Sequence, residues 1–206
     1  MSWLSGFMDL CRRNTLLAEP LEVTLLVVDA FEKIGIPYLI GGSMASALHG
    51  TARSTLDTDL VADLKTEQIQ PLVEMLQKDF YIEEEMIRDA IQRQGSFNLI
   101  HLATMFKVDV FIVKQRRFDS MQFQRRRFQV VANDPERKAY VTTAEDIILA
   151  KLEWYYLGGE VSDRQWHDIL GVLKVQAGRL DLNYLNLWSA ELKVADLLQR
   201  ALKESE

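Results

Sequence analysis

Apolar positions recur at helical spacing at the start of the chain. After Pro20, residues Leu25, Val28, Ala30 and Phe31 share one face of a predicted helix, Leu21 to Ile34, which Gly35 ends. Pro37 precedes a short apolar strand, Tyr38-Leu39-Ile40. That strand breaks at Gly41-Gly42 and passes into Ser43-Met44-Ala45-Ser46-Ala47-Leu48, good helix formers with Ser43 at the expected N-cap. The helix runs to His49, and Leu56-Asp57-Thr58-Asp59-Leu60-Val61 then alternates as a strand does. Thr66 is the expected cap of a third helix, Glu67 to Asp79, with Ile69, Leu72, Val73 and Leu76 at helical spacing. A strand near Phe80 to Glu83 and a short helix, Met86 to Gln92, lead to Gly95. Ser96 to Leu102 and Phe106 to Val113 follow as neighbouring strands joined by a short turn. Arg125 to Val131 and Arg137 to Val141 are extended pieces around the turn Asn133-Asp134-Pro135. From Thr143 the pattern is helical: Ala144 to Leu157, Ser162 to Val175, Asn183 to Trp188 and Glu191 to Lys203, broken at Gly158-Gly159 and Gly178.

Strands mixed with helices, then helices alone, is the order of an α+β (mixed α/β) fold: a short mixed sheet backed by helices, with a helical C-terminal part. The change of pattern divides the chain into a core, residues 1–142, and a helical subdomain, residues 143–206, packed on it.

Composition narrows this little. The 206 residues are 48% hydrophobic and 26% charged, ordinary for a globular domain. A net charge of −6 argues against a surface built as a whole to hold nucleic acid, so any such contact is local. The single cysteine, Cys11, excludes an internal disulfide and a cysteine-built zinc site. No apolar run approaches the length of a membrane span, and the apolar N-terminus lacks a basic start and is interrupted by Asp9, so a cytoplasmic protein with no membrane partner is expected.

Two stretches carry chemistry. A glycine turn into a helix lets the backbone approach a ligand and offers N–H groups to phosphate, although a Gly-Gly pair alone is often only a turn. Asp57 and Asp59, at i and i+2 on a strand, project from one face, where paired carboxylates are costly unless a cation, usually a divalent metal, sits on them. A third acid, Asp109, lies within the β-branched run Lys107-Val108-Asp109-Val110-Phe111-Ile112-Val113.

Gly42-Ser43, then Asp57-Thr58-Asp59, then Asp109 resembles the pattern of the DNA polymerase β-like nucleotidyltransferases. Arg53-Ser54-Thr55-Leu56-Asp57-Thr58-Asp59 is similar to the Arg-x-Thr-x-Asp-x-Asp segment of the minimal and AbiEii-like members. A second similarity to AbiEii-like proteins, some of them toxins of toxin–antitoxin pairs, runs from Glu145-Asp146 through Lys151 and Arg164 to Asp168. The resemblance implies nucleoside monophosphate transfer from an NTP to a hydroxyl on RNA, protein or a small molecule. It assigns Asp57, Asp59 and Asp109 to Mg2+ or Mn2+, with Asp109 also as base, and Gly42, Ser43, Arg53 and Lys151 to the nucleotide. Arg53 could instead pair with Asp57, and Lys151 could be a lysine on the wet face of an amphipathic helix. Thr58 stands where the family usually has an aliphatic residue, but it points away from the acids.

Lys114, Arg116, Arg117, Arg125, Arg126 and Arg127 form a basic cluster, expected as a solvated loop or edge-strand face. Placed after the Asp109 strand, Arg125, Arg126 and Arg127 could also guide an RNA acceptor. His49, His101 and His167 have no metal-binding spacing. The contrasting function class is a non-catalytic member of the fold that binds a partner protein, such as an antitoxin.

Overall fold

A computed structural model describes residues 19–205. Cys11 and the apolar N-terminal run lie outside the described residues. Helix α1 occupies residues 19–34, followed by β1 (Tyr38–Ile40), α2 (Gly42–His49), β2 (Asp57–Ala62) and a short 3-10 turn, Thr66–Gln68, that leads into α3 (Ile69–Leu76). Then come β3 (Phe80–Tyr81), α4 (Glu84–Arg93), β4 (Ser96–His101), β5 (Lys107–Ile112), α5 (Arg117–Arg125), β6 (Arg127–Asn133) and β7 (Glu136–Val141). Helices α6 (Ala144–Leu157), α7 (Asp163–Val175), α8 (Leu182–Glu191) and α9 (Ala195–Glu204) complete the chain.

The strands form one mixed sheet in the order β3-β4-β5-β2-β1-β7-β6. β2 runs antiparallel to β1 and parallel to β5, and β7 joins the other side of β1 in parallel. Burial alternates along β2 and β5 as the pleat requires. Thr58, Leu60, Ala62, Val108, Val110 and Ile112 face the core on one side, where α1 and α4 pack. Thr58, a polar residue in that layer, is tolerated because its hydroxyl is hydrogen-bonded to that of Thr24 of α1 at 3.0 Å. On the opposite face α2 lies over β2 and is backed by α6 and α7. This second layer thins out toward β5 and β4, where Asp109, Phe111, Asn98 and Ile100 remain only half-buried.

The mixed fold and most of its elements match expectation, with four differences of local cause. Gly41, not Ser43, is the N-cap of α2, because Gly42 at φ +51° already belongs to the first turn. Thr66 lies inside the 3-10 turn, whose start is fixed by Gln68 Oε1 accepting from Lys65 N at 2.9 Å. The last two helices break at Leu192-Lys193-Val194, with Lys193 at φ +60°. The basic stretch expected as loop or edge strand contains helix α5. Only Phe118 and Gln122 of α5 are buried, so the apolar period that would announce a helix is missing. Among the described residues, no helix is long and apolar enough to cross a membrane.

Candidate active site

The site is built on the parallel pairing of β2 and β5. Asp57 is registered with Lys107 and Asp59 with Asp109, so these four side chains project from the same face. Three acids and one lysine therefore share a patch that the second helical layer only partly covers. Lys107 Nζ lies 2.7 Å from Asp109 Oδ2. Burial, and then the charges of Asp57 and Asp109, push the Asp59 carboxyl up from 3.8 to about 6, against the opposing pull of Lys151 and Lys107.

Gly41-Gly42 brings the start of α2 onto Asp59. Gly41 N donates to the Asp59 carbonyl at 2.9 Å. A Cβ on Gly42 would stand 1.6 Å from Asp59 Oδ2, and its positive φ is one that side-chain-bearing residues rarely adopt. Gly42→Ala is therefore expected to lower stability by about 1–3 kcal/mol in a urea titration and to dislodge the Asp59 carboxylate. Thr55 donates its hydroxyl to the Asp57 carbonyl at 2.8 Å, with Asp57 Oδ1 also within 3.2 Å, which steadies the strand at the first acid.

Beside the acids lies a polar network that ties α2 to the C-terminal helices. Arg53 makes a two-pronged contact with Asp168 of α7, Nε to Oδ1 at 2.7 Å and Nη2 to Oδ2 at 2.9 Å. Its Nη2 also donates to Ser43 Oγ at 2.8 Å. Lys151 of α6 reaches Asp168 Oδ2 at 2.9 Å. The side chains of Lys151 and Asp168 are only 9% and 3% exposed, so Lys151 does not lie on a wet helix face. The partner of Arg53 is Asp168 and not Asp57. Burial raises the Asp168 carboxyl, but hydrogen bonds from Arg53 and the charge of Lys151 outweigh it and hold the group below the usual carboxylate range.

No protein-family model matches the chain, and no curated protein matches it in sequence. Solved structures do match in shape. Antibiotic-resistance factor ANT(2'')-Ia in solution superposes with a TM-score of 0.55, covering 92% of this chain and 99% of that one at 13% identity. The crystal structure of ANT(2")-Ia in complex with adenylyl-2"-tobramycin gives 0.57 over 85% and 97% of the two chains, again at 13% identity. An antigenic nucleotidyltransferase-like protein from Paracoccidioides brasiliensis gives 0.51 over 87% and 91%, at 18% identity. The chain has a nucleotidyltransferase fold.

On this nucleotidyltransferase fold, the structure brings Asp57, Asp59 and Asp109 to one face and sets Gly42 against Asp59. It joins Ser43, Arg53 and Lys151 through Asp168. Sequence reasoning missed two participants. Asp168 appeared only as the last position of a motif, although an acid at a buried helical position, Ile169 beside it, asks for a cation. Lys107 stood two residues before Asp109 on the same strand, and that i, i+2 spacing was the signal.

Part of the basic cluster is engaged within the protein, while Lys114 and Arg127 are exposed. Arg125 reaches Asp146 Oδ2 at 3.2 Å and Glu145 Oε2 at 3.4 Å, and its guanidinium lies 3.8 Å from the centre of the Tyr184 ring. Arg126 stacks on Phe123 and Tyr140, Arg116 pairs with Asp119 and Glu153, and Arg117 pairs with Glu191. Asp146 is fully buried and also takes hydroxyl hydrogen bonds from Thr143 at 2.7 Å and Tyr184 at 2.6 Å. Arg125 thus joins α5 to α6 and α8. Arg125→Ala is expected to cost about 1–3 kcal/mol of stability, because a buried carboxylate loses its cation, and a thermal melt of the variant would show it.

Proposed function

We propose that the protein is a divalent-metal-dependent, AbiEii-like nucleotidyltransferase that moves a nucleoside monophosphate from an NTP to a hydroxyl of a small molecule. The observation that carries this reading is the in-register placement of Asp57, Asp59 and Asp109 on one sheet face, against the glycine turn that opens α2.

The residues suit a hard cation in kind, and three of them share one sheet face. All three donors are carboxylates, the ligand set of Mg2+ and Mn2+ rather than of zinc. Burial, and then the charges of Asp57 and Asp109, raise the Asp59 carboxyl, and a bound cation would oppose both. Among the described residues, no three acid, histidine or cysteine side chains stand at metal-ligand spacing as they are, and Lys107 is what holds Asp109. A divalent ion held by Asp57 and Asp59 would neutralise triphosphate charge and make an oxygen more acidic. Arg53 and Lys151 would face the triphosphate as cations, with Ser43 and the first-turn N–H groups of α2 as hydrogen-bond donors. Asp109 would take the acceptor proton. The acceptor oxygen would then bond to the α-phosphorus, while the bond to the oxygen bridging toward the β-phosphate breaks and pyrophosphate leaves.

A small-molecule acceptor is favoured over RNA because Arg125 and Arg126, two of the three arginines that could guide RNA, are engaged within the protein, leaving Arg127 exposed. One fold neighbour is seen with adenylyl-2"-tobramycin, a nucleotidylated small molecule. Incubation with NTPs labelled at the α-phosphate, Mn2+ and fractionated cell extract tests the reading. Label in the small-molecule fraction, with release of pyrophosphate, is expected. Label in RNA or protein would correct the acceptor. No transfer to any fraction would favour the non-catalytic, partner-binding class.

A further inference from the structure

Asp57, Lys107, Asp59 and Asp109 form a two-by-two array: Asp57 beside Lys107 across the strands, and Asp59 beside Asp109. We propose that Lys107 bars a free divalent cation from these carboxylates and lets one in only together with a nucleoside triphosphate. This rests on the reading above and adds an order of binding to it.

The lysine is paired with the carboxylate that would be the third metal ligand. Its ammonium is 2.7 Å from Asp109 Oδ2, and its registered neighbour is Asp57, so it lies among the acids that would bind the ion. A free cation entering the patch must either sit beside that positive charge or break its pair with Asp109. Both oppose binding. The lysine is able to leave, since its side chain is 42% exposed and has a four-carbon stem. In an empty cleft it would leave a carboxylate for water alone. With a triphosphate present it has an anionic partner at hand, and Asp109 is released for metal and acceptor. Metal and nucleotide then strengthen each other's binding, and by linkage the factor is the same in both directions.

Mn2+ binding, measured by calorimetry or electron paramagnetic resonance with and without α,β-methylene-ATP or α,β-methylene-GTP, tests this directly. In the wild type, the nucleotide analogue is expected to tighten Mn2+ binding strongly. In Lys107→Met, Mn2+ without nucleotide should bind on the order of tenfold more tightly than to wild type, and the gain from nucleotide should shrink by the same factor. Lys107→Arg, which retains the charge, should keep the wild-type order, and this control separates charge from any change in packing. Equal Mn2+ affinities and equal nucleotide gains in wild type and Lys107→Met would overturn the role of Lys107 and leave the metal-dependent reading standing. No Mn2+ binding by either protein, with or without nucleotide, would overturn both.

Discussion

Asp168→Asn is expected to be the most destabilising single change in the cleft, by about 3–5 kcal/mol, or a fall of roughly 6–20 °C in melting temperature. The reason is desolvation. Lys151 is 9% exposed and Asp168 3%, so removing the carboxylate leaves a buried ammonium without its ion-pair partner and weakens the hold on Arg53. Replacing Lys151 by Met in the same protein should recover part of the loss, because the stranded charge is gone. The pH dependence has a definite sign. The Asp168 carboxyl is held below its ordinary value in the folded protein, so its contribution is present above the unfolded value of about 4 and is lost as pH falls through the lower, folded value. The stability difference between wild type and Asp168→Asn should therefore persist from neutral pH to about 4 and shrink below it. A difference unchanged at pH 2 would show that the carboxylate charge is not what stabilises the cleft.

The second large effect is on transfer. Asp57→Asn, Asp59→Asn and Asp109→Asn should each lower the rate by on the order of 10³-fold or more, since each removes a carboxylate from the group on which charge neutralisation and proton removal depend. Asp59→Asn should also separate activity from stability. Its carboxyl, raised to about 6, binds a proton more tightly in the folded than in the unfolded chain, so wild-type stability falls as pH rises from about 4 to 6. Above that window the ionised Asp59 works against the fold, and the neutral amide should make the metal-free protein more stable at pH 7 while abolishing transfer. Urea titrations at pH 4, 6 and 7.5 read the first effect, and release of pyrophosphate reads the second. An Asp59→Asn protein that is less stable at pH 7.5 would contradict the charge argument.

The elements that position the acids were legible in the sequence because each carries its own local signal. β1 is a short apolar run closed by Gly41-Gly42, β2 alternates, and α6 has an N-cap at Thr143 whose side chain accepts from Asp146 N. The shared face of Asp57 and Asp59 followed from the two-residue period alone. What could not be read is what depends on pairing between distant segments. The alignment of Asp59 with Asp109 is a register, and registers are fixed by whole strands and not by single residues. The Arg53–Asp168 pair joins residues 115 positions apart, so local pattern gave Arg53 a nearer partner, Asp57. Lys151 illustrates the same limit. Helical period placed it, but whether its face is wet depends on α7, which covers it through Asp168. At the start of α5 and along it, the charged residues that conceal the helix from pattern reading are those that bind it to α6 and α8.

The central claim is that Asp57, Asp59 and Asp109 act as one cation-binding group for a nucleotide, and thermal melting with Mn2+ and a non-hydrolysable NTP analogue tests it most directly. A bound ion at ten times its dissociation constant contributes about 1.4 kcal/mol by mass action, a rise of roughly 3–6 °C for a chain of this length. Wild type should show that rise, and the three Asp→Asn proteins should show little of it while remaining folded. A shift no larger in wild type than in these variants would contradict the claim.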